Sequence, residues 1–132
     1  MSDTIISEGG AFDIFLVNSL LRKFEFVVPE FLFLEIGKNF GEIVSKSNLP
    51  KEELGEVFEF LKEQFTPIPL KQFTIFASEA GKLAPHSKDV EYFALALSLN
   101  CPIWSNEKAF NKQSKVKIFS TRELLEELGL KK

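Results

Sequence analysis

Asp89-Val90-Glu91-Tyr92-Phe93-Ala94-Leu95-Ala96-Leu97-Ser98-Leu99-Asn100, followed by Cys101-Pro102-Ile103-Trp104-Ser105-Asn106-Glu107, is the most telling part of the sequence. Between Val90 and Leu99 only Glu91, Tyr92 and Ser98 are polar. A helix with that pattern is apolar almost all round and has to be enclosed by other elements. Ala94 and Ala96 are small enough to let it lie close against a sheet. Asn100 suits a left-handed C-cap, and Pro102 stops the helix from continuing. Ile103-Trp104-Ser105 then reads as a short β-strand whose outer end carries Ser105, Asn106 and Glu107. Asp89 falls at the mouth of the buried helix and Glu107 just past the carboxyl end of the strand, where open α/β sheets bind ligands. Two carboxylates delivered there by the most buried elements point to part of a metal site.

Working outward, the upstream half alternates helices with strands. Gly9-Gly10 is a turn signal, and Phe12 to Leu21 reads as a short, largely buried helix closed by Arg22-Lys23, whose charges suit a helix C-terminus. Phe24-Glu25-Phe26-Val27-Val28 is the clearest strand, rich in aromatic and β-branched residues and stopped by Pro29. Pro29 is placed to open the next helix, about Glu30 to Val44, with Leu32, Phe33 and Ile36 on one side and Glu35 and Lys38 on the other. Pro50 starts a further helix to about Phe65. Thr66-Pro67-Ile68-Pro69-Leu70 is too rich in proline for a central strand and reads as a short edge strand. Phe73 to Leu83 reads as helical, with Ala84-Pro85-His86-Ser87 turning into the central stretch.

Downstream, Lys108 to Lys115 reads as a polar loop anchored by Phe110, and Val116 to Phe119 as a short strand. Ser120-Thr121-Arg122-Glu123 has the spacing of a capping box for a last helix, Thr121 to Leu128, ended by Gly129. Strands separated by helices imply parallel pairing and a three-layer α/β/α sandwich.

The 132 residues fit a single domain over 1–132, long enough to bury a core. A hydrophobic share of 45% and a charged share of 27% are ordinary for a globular chain and exclude disorder as its main character. Fifteen Phe against one Tyr and one Trp assign the aromatics to packing rather than polar recognition. One Cys excludes an internal disulfide and suits a reducing cytosol. A net charge of −3 excludes gripping nucleic acid by overall electrostatics, leaving room for a local basic patch and bound metal. The polar, acidic start reads as lacking a signal peptide, and no apolar run nears the roughly 20 residues that span a bilayer. A cytoplasmic location is the expectation.

Val28-Pro29-Glu30-Phe31-Leu32-Phe33-Leu34-Glu35-Ile36, Lys88-Asp89-Val90-Glu91-Tyr92-Phe93-Ala94-Leu95-Ala96-Leu97 and Ile103-Trp104-Ser105-Asn106-Glu107-Lys108-Ala109-Phe110 together resemble PIN-domain proteins. More narrowly, they resemble a prokaryotic, largely archaeal branch related to the VapC toxins. The resemblance implies a small α/β/α nuclease with a mainly parallel sheet that cuts single-stranded RNA using Mg²⁺ or Mn²⁺. It also implies that Glu35, Asp89 and Glu107 are the catalytic metal ligands, with Glu107 standing where the family usually has an aspartate. Ser105, Asn106 and Lys108 are then expected to meet the substrate, and a homodimer and an antitoxin partner are expected. The family opens with a strand ending in an aspartate; here Asp3-Thr4 imitates that end with no strand before it. The first strand is therefore expected to be missing, through a late start or a truncation, with Asp3 as the candidate substitute ligand.

Each site residue also has a plainer reading. Asp89 suits a helix start through the dipole, Glu35 an exposed pair with Lys38 or Asn39, and Glu107 a solvated loop. Trp104 and Cys101 read as core, His86 as surface, and Lys108, Lys112, Lys115 and Lys117 as either a solvated face or a phosphate-binding one. Two further functional readings stand beside the toxin-like ribonuclease. One is a catalytically inactive module of the same fold, acting in binding or oligomerisation; the other is a nuclease on structured nucleic acid.

Overall fold

A computed structural model of the chain describes residues 9–38 and 50–130. Six α-helices and four short strands follow in order: α1 (Gly9–Leu21), β1 (Phe26–Pro29), α2 (Phe31–Lys38), α3 (Lys51–Gln64), β2 (Phe65–Ile68), α4 (Ala77–Leu83), α5 (Val90–Leu99), β3 (Ile103–Trp104), β4 (Ile118–Phe119) and α6 (Thr121–Glu127). The expectations for Asp3 and a missing first strand, and for the helix beyond Lys38, lie outside the described residues.

The apolar stretch forms α5 as its pattern requires. Phe93, Ala94, Leu95 and Ala96 are buried, and Asn100 closes the helix in the left-handed conformation with φ 53° and ψ 50°. The strands pair in parallel as two separate ladders: Phe26–Pro29 runs beside Phe65–Ile68, and Ile103–Trp104 beside Ile118–Phe119. α5 packs against both β1 and β3. Side chains alternate across the strands, so Val27 and Ile103 join the core around α5 while Phe26, Val28 and Trp104 turn the other way. On that second face Phe15 of α1 is fully buried, its ring 5.2 Å from Phe26 and 5.3 Å from both Phe65 and Trp104. Ile14 of α1 packs with Leu124 and Leu128 at α6. Helices on both faces of parallel strands are the layered α/β/α arrangement.

Several boundaries differ from the sequence expectation. Gly9 and Gly10 form the first turn of α1 rather than a turn before it. Phe24 and Glu25 are not in β1, because the buried Asn18 side chain captures the backbone of Phe24. Its Nδ2 donates to the Phe24 carbonyl at 2.8 Å and its Oδ1 accepts from the Phe24 N–H at 2.8 Å. Gln113 does the same to Val116, accepting from its N–H at 2.8 Å and donating to its carbonyl at 2.9 Å, and β4 begins only at Ile118. Each amide takes both backbone groups that a ladder would need.

Pro29 is the last residue of β1 rather than the first of a helix, in register with Ile68. The helix expected over 73–83 is broken. Single 3₁₀ turns at Leu70–Gln72 and Thr74–Phe76 precede α4, because the β-branched Thr74 and Ile75 resist a helical run and the Thr74 hydroxyl donates to the Leu70 carbonyl at 2.5 Å. The segment after Glu107 is a 3₁₀ helix, Lys108–Lys112, and not a loop; Phe110 anchors it with its ring 5.1 Å from Phe93. The capping box at Ser120 and Glu123 forms as its spacing requires, and Gly129 at φ 77° follows α6.

Asn18 is 5% exposed, so its loss strands the Phe24 backbone in the interior. Asn18→Ala is expected to lower stability by about 2–4 kcal/mol in urea unfolding. Ser19→Ala, which removes an exposed hydroxyl bond to the Leu16 carbonyl, is expected to cost less than about 0.5 kcal/mol.

Candidate metal centre

Asp89 ends the 3₁₀ turn Ser87–Asp89 that leads into α5, and its N–H donates to the His86 carbonyl at 3.0 Å. The side chain does not cap α5. It is 6% exposed, and its Oδ2 is buried without any hydrogen-bond partner. Burial pushes the Asp89 carboxyl above its ordinary range and the charge of Glu107 adds to the rise, while Lys88 and His86 pull weakly the other way. A buried carboxylate oxygen without a hydrogen bond is costly, and native interiors rarely leave one so.

Glu107 stands in the exposed turn after β3, its N–H donating to Ser105 Oγ at 3.1 Å. That turn is clasped to the start of α6. Asn106 Oδ1 accepts from the Thr121 N–H at 2.8 Å, and Asn106 Nδ2 donates to Thr121 Oγ1 at 3.0 Å. Trp104 Nε1 donates to the same hydroxyl oxygen at 2.9 Å. Ser105 and Asn106 thus have structural partners, and they hold the backbone that carries Glu107.

Glu35 is exposed on α2. Its connection to the other acids runs through Tyr92, one turn after Asp89, whose ring lies 6.0 Å from Phe31. Burial pushes the Tyr92 phenol up to about 12, and the charges of Glu35, Asp89 and Glu91 add to it. Asp89 therefore feels Glu107, and Tyr92 feels both Glu35 and Asp89. Glu35 follows β1 on α2 and Glu107 follows β3, but the three acids do not form a cluster: among the described residues, no three His, Cys, Asp or Glu side chains are gathered closely enough to hold a metal ion.

The orphaned Asp89 oxygen and the all-carboxylate donor set fit a hard divalent cation such as Mg²⁺ or Mn²⁺. Lys108 and Lys112 are exposed on the 3₁₀ helix just past Glu107. Lys115 is ion-paired with Glu79, and Lys117 lies 5.1 Å from the centre of the Phe119 ring. The basic cluster read from the sequence is thus divided, with Lys108 nearest the acids in the chain. His86 is exposed, and Cys101 is half-buried with its thiol pushed up by burial.

Tyr92 and Thr121 are the residues that sequence reasoning missed. Tyr92 is the only tyrosine in the chain and lies three residues after Asp89, which was a usable signal. Thr121 carried none, because its hydroxyl serves side chains 15 and 17 residues away.

The family model described as a PIN domain matches residues 5–129. No curated protein and no solved structure matches the chain.

Two variants test the site. Thr121→Val keeps the shape and removes the acceptor shared by Trp104 and Asn106, so unfolding in urea is expected to shift by about 1–3 kcal/mol. For Asp89 the sign follows from its raised folded value: the folded state binds the proton more tightly than the unfolded state. Metal-free stability is then lost as pH rises from the ordinary value near 3.8 through the raised one. Asp89→Asn escapes that loss. In EDTA it is expected to melt about 2–4 °C above wild type at pH 8, with the advantage shrinking toward zero at low pH, as read by calorimetry.

Proposed function

Because the chain belongs to the PIN-domain family, a family of nucleases that generally use divalent metal ions and bind RNA, we propose that it is a Mg²⁺- or Mn²⁺-dependent endoribonuclease acting on single-stranded RNA. The observation that carries this reading is the Asp89 carboxyl, buried with an unpartnered Oδ2 and facing the charge of Glu107. Asp89, Glu107 and Glu35 would hold the cation. When bound, such a cation lowers the pKa of a water and offsets the charge of the phosphate under attack.

The remaining work falls to the chain's own residues. Asp89 sits at 6% exposure, where little solvent weakens its attraction for a cation. The Trp104–Thr121–Asn106 clasp fixes the turn bearing Glu107. Ser105 supports the same turn by accepting from the Glu107 N–H. Lys108 follows Glu107 directly and is exposed to meet the backbone of an RNA strand. The Tyr92 phenol keeps its proton at neutral pH, so it can donate a hydrogen bond and cannot act as a base.

The same reading takes residues 1–132 as one domain with a toxin-like role in the cytoplasm, as a homodimer with an antitoxin partner. These finer assignments rest on the similarity of Lys88–Leu97 and Ile103–Phe110 to the VapC-related branch. Among the described residues no helix is long and apolar enough to cross a membrane. One observation favours a second reading, an inactive binding module: the absence of three gathered ligand side chains among the described residues.

Cleavage of a single-stranded RNA separates the two. With Mn²⁺ the wild-type chain is expected to cut, and EDTA to abolish the reaction. Asp89→Asn is expected to lower the rate by about 100-fold or more with the fold intact. A folded wild-type protein that leaves the RNA whole under all conditions contradicts the enzyme and favours the module.

A further inference from the structure

Glu35 is the least anchored of the three acids. It is exposed on α2, whereas Asp89 is buried and Glu107 stands on a turn held by the Trp104–Thr121–Asn106 clasp. An exposed glutamate samples many rotamers, and holding a cation requires it to give them up. A neighbour that restrains Glu35 would lower that cost.

The packing of α2 on α5 supplies one. The rings of Phe31 and Tyr92 lie 6.0 Å apart with planes at 56°, joining the two helices. Glu35 follows Phe31 by four residues, so the two share one side of α2. Asp89, at φ −96° and ψ −5°, leads straight into α5, and Tyr92 follows it by three residues on the same side. The ring contact therefore brings the Glu35 side of α2 to the Asp89 side of α5. Among the described residues, the charges that act on Asp89 are those of Glu107, Lys88 and His86, while the charges of both Glu35 and Asp89 act on Tyr92. Tyr92 is where Glu35 meets the rest of the site.

We propose that Tyr92 is a positioning residue of the metal centre, whose phenol O–H donates to the Glu35 carboxylate and holds it toward Asp89 when the cation binds. This deepens the metal-dependent reading of the site and rests on it. The chemistry of a phenol suits the task. It is neutral, so it orients a carboxylate without repelling the cation as a lysine would. It keeps its proton at neutral pH and so remains a donor. A hydrogen bond to an ionised carboxylate is stronger than one between neutral groups, and carboxylates that ligate metals are commonly held in this way. Composition points to the hydroxyl as well. In a chain with fifteen Phe and one Tyr, a Phe at position 92 would make the same contact with Phe31 and the core around α5. Packing explains the ring and leaves the oxygen unexplained.

Tyr92→Phe removes that oxygen and keeps the ring. Mn²⁺ would be titrated calorimetrically into the metal-free full chain without RNA, with circular dichroism as the check on fold. The variant is expected to bind about 10-fold more weakly than wild type, while its melting temperature without metal stays within about 2 °C of wild type. In a Glu35→Gln background, which itself binds more weakly, the same change is expected to cost little more, because the two residues act as one. Three results would overturn the positioning role and leave the metal centre standing: wild-type affinity in Tyr92→Phe, an equal loss in both backgrounds, or a variant that does not fold. A wild-type chain that binds no Mn²⁺ would overturn the metal reading itself, and this role with it.

Discussion

The largest core cluster among the described residues is arranged around the need to enclose α5. Its middle turns offer no polar face to water, so elements must close on it from several sides. β1 and β3 supply one wall, α4 and the 3₁₀ turns before it another, and the Phe110 anchor a third. Because both strand pairs rest on the same helix, α5 sets their positions even though they share no ladder. Its start is equally constrained. Burying the helix draws Asp89 into the interior with it, and its Oδ2 arrives there without a hydrogen-bond partner.

That arrival links packing to chemistry. An apolar residue at position 89 would complete the enclosure at less cost, since burial disfavours the charge. Glu107 sharpens the conflict, because its negative charge adds to the desolvation of Asp89. The charge of Glu107 and the burial of Asp89 both disfavour the Asp89 carboxylate, and a cation bound there would offset both. The clasp from Trp104 through Thr121 to Asn106 shows the same economy: one hydroxyl ties a strand, a turn and a helix start together beside Glu107.

How much of this was legible in the sequence depended on range. α5, its left-handed cap at Asn100 and the Ser120–Glu123 capping box are written in contiguous residues and were readable as such. The strand starts were not, because side-chain amides decide them: Asn18 withdraws Phe24 from the first ladder, and Gln113 withdraws Val116 from the last. The helix expected over 73–83 failed because the β-branched Thr74 and Ile75 resist a helical run and Phe73, drawn into the core at φ −127° and ψ 2°, lies outside a helical conformation. The layered parallel architecture was legible from the alternation of elements. The positions of Asp89 and Glu107 at the ends of buried elements were legible too, whereas the burial of one and exposure of the other were not. Glu35 acts electrostatically on Tyr92, beside the Phe31–Tyr92 contact, which no local pattern announces.

On the proposed reading, a divalent cation completes the environment of the Asp89 Oδ2, which is buried without a hydrogen-bond partner. Calorimetric titration of Mn²⁺ into the metal-free protein at neutral pH tests this most directly, with Asp89→Asn as the comparison and circular dichroism as the check on fold. Saturable binding to the wild-type chain is expected, lost in the folded variant. Equal binding to both proteins, or none to either, would contradict it.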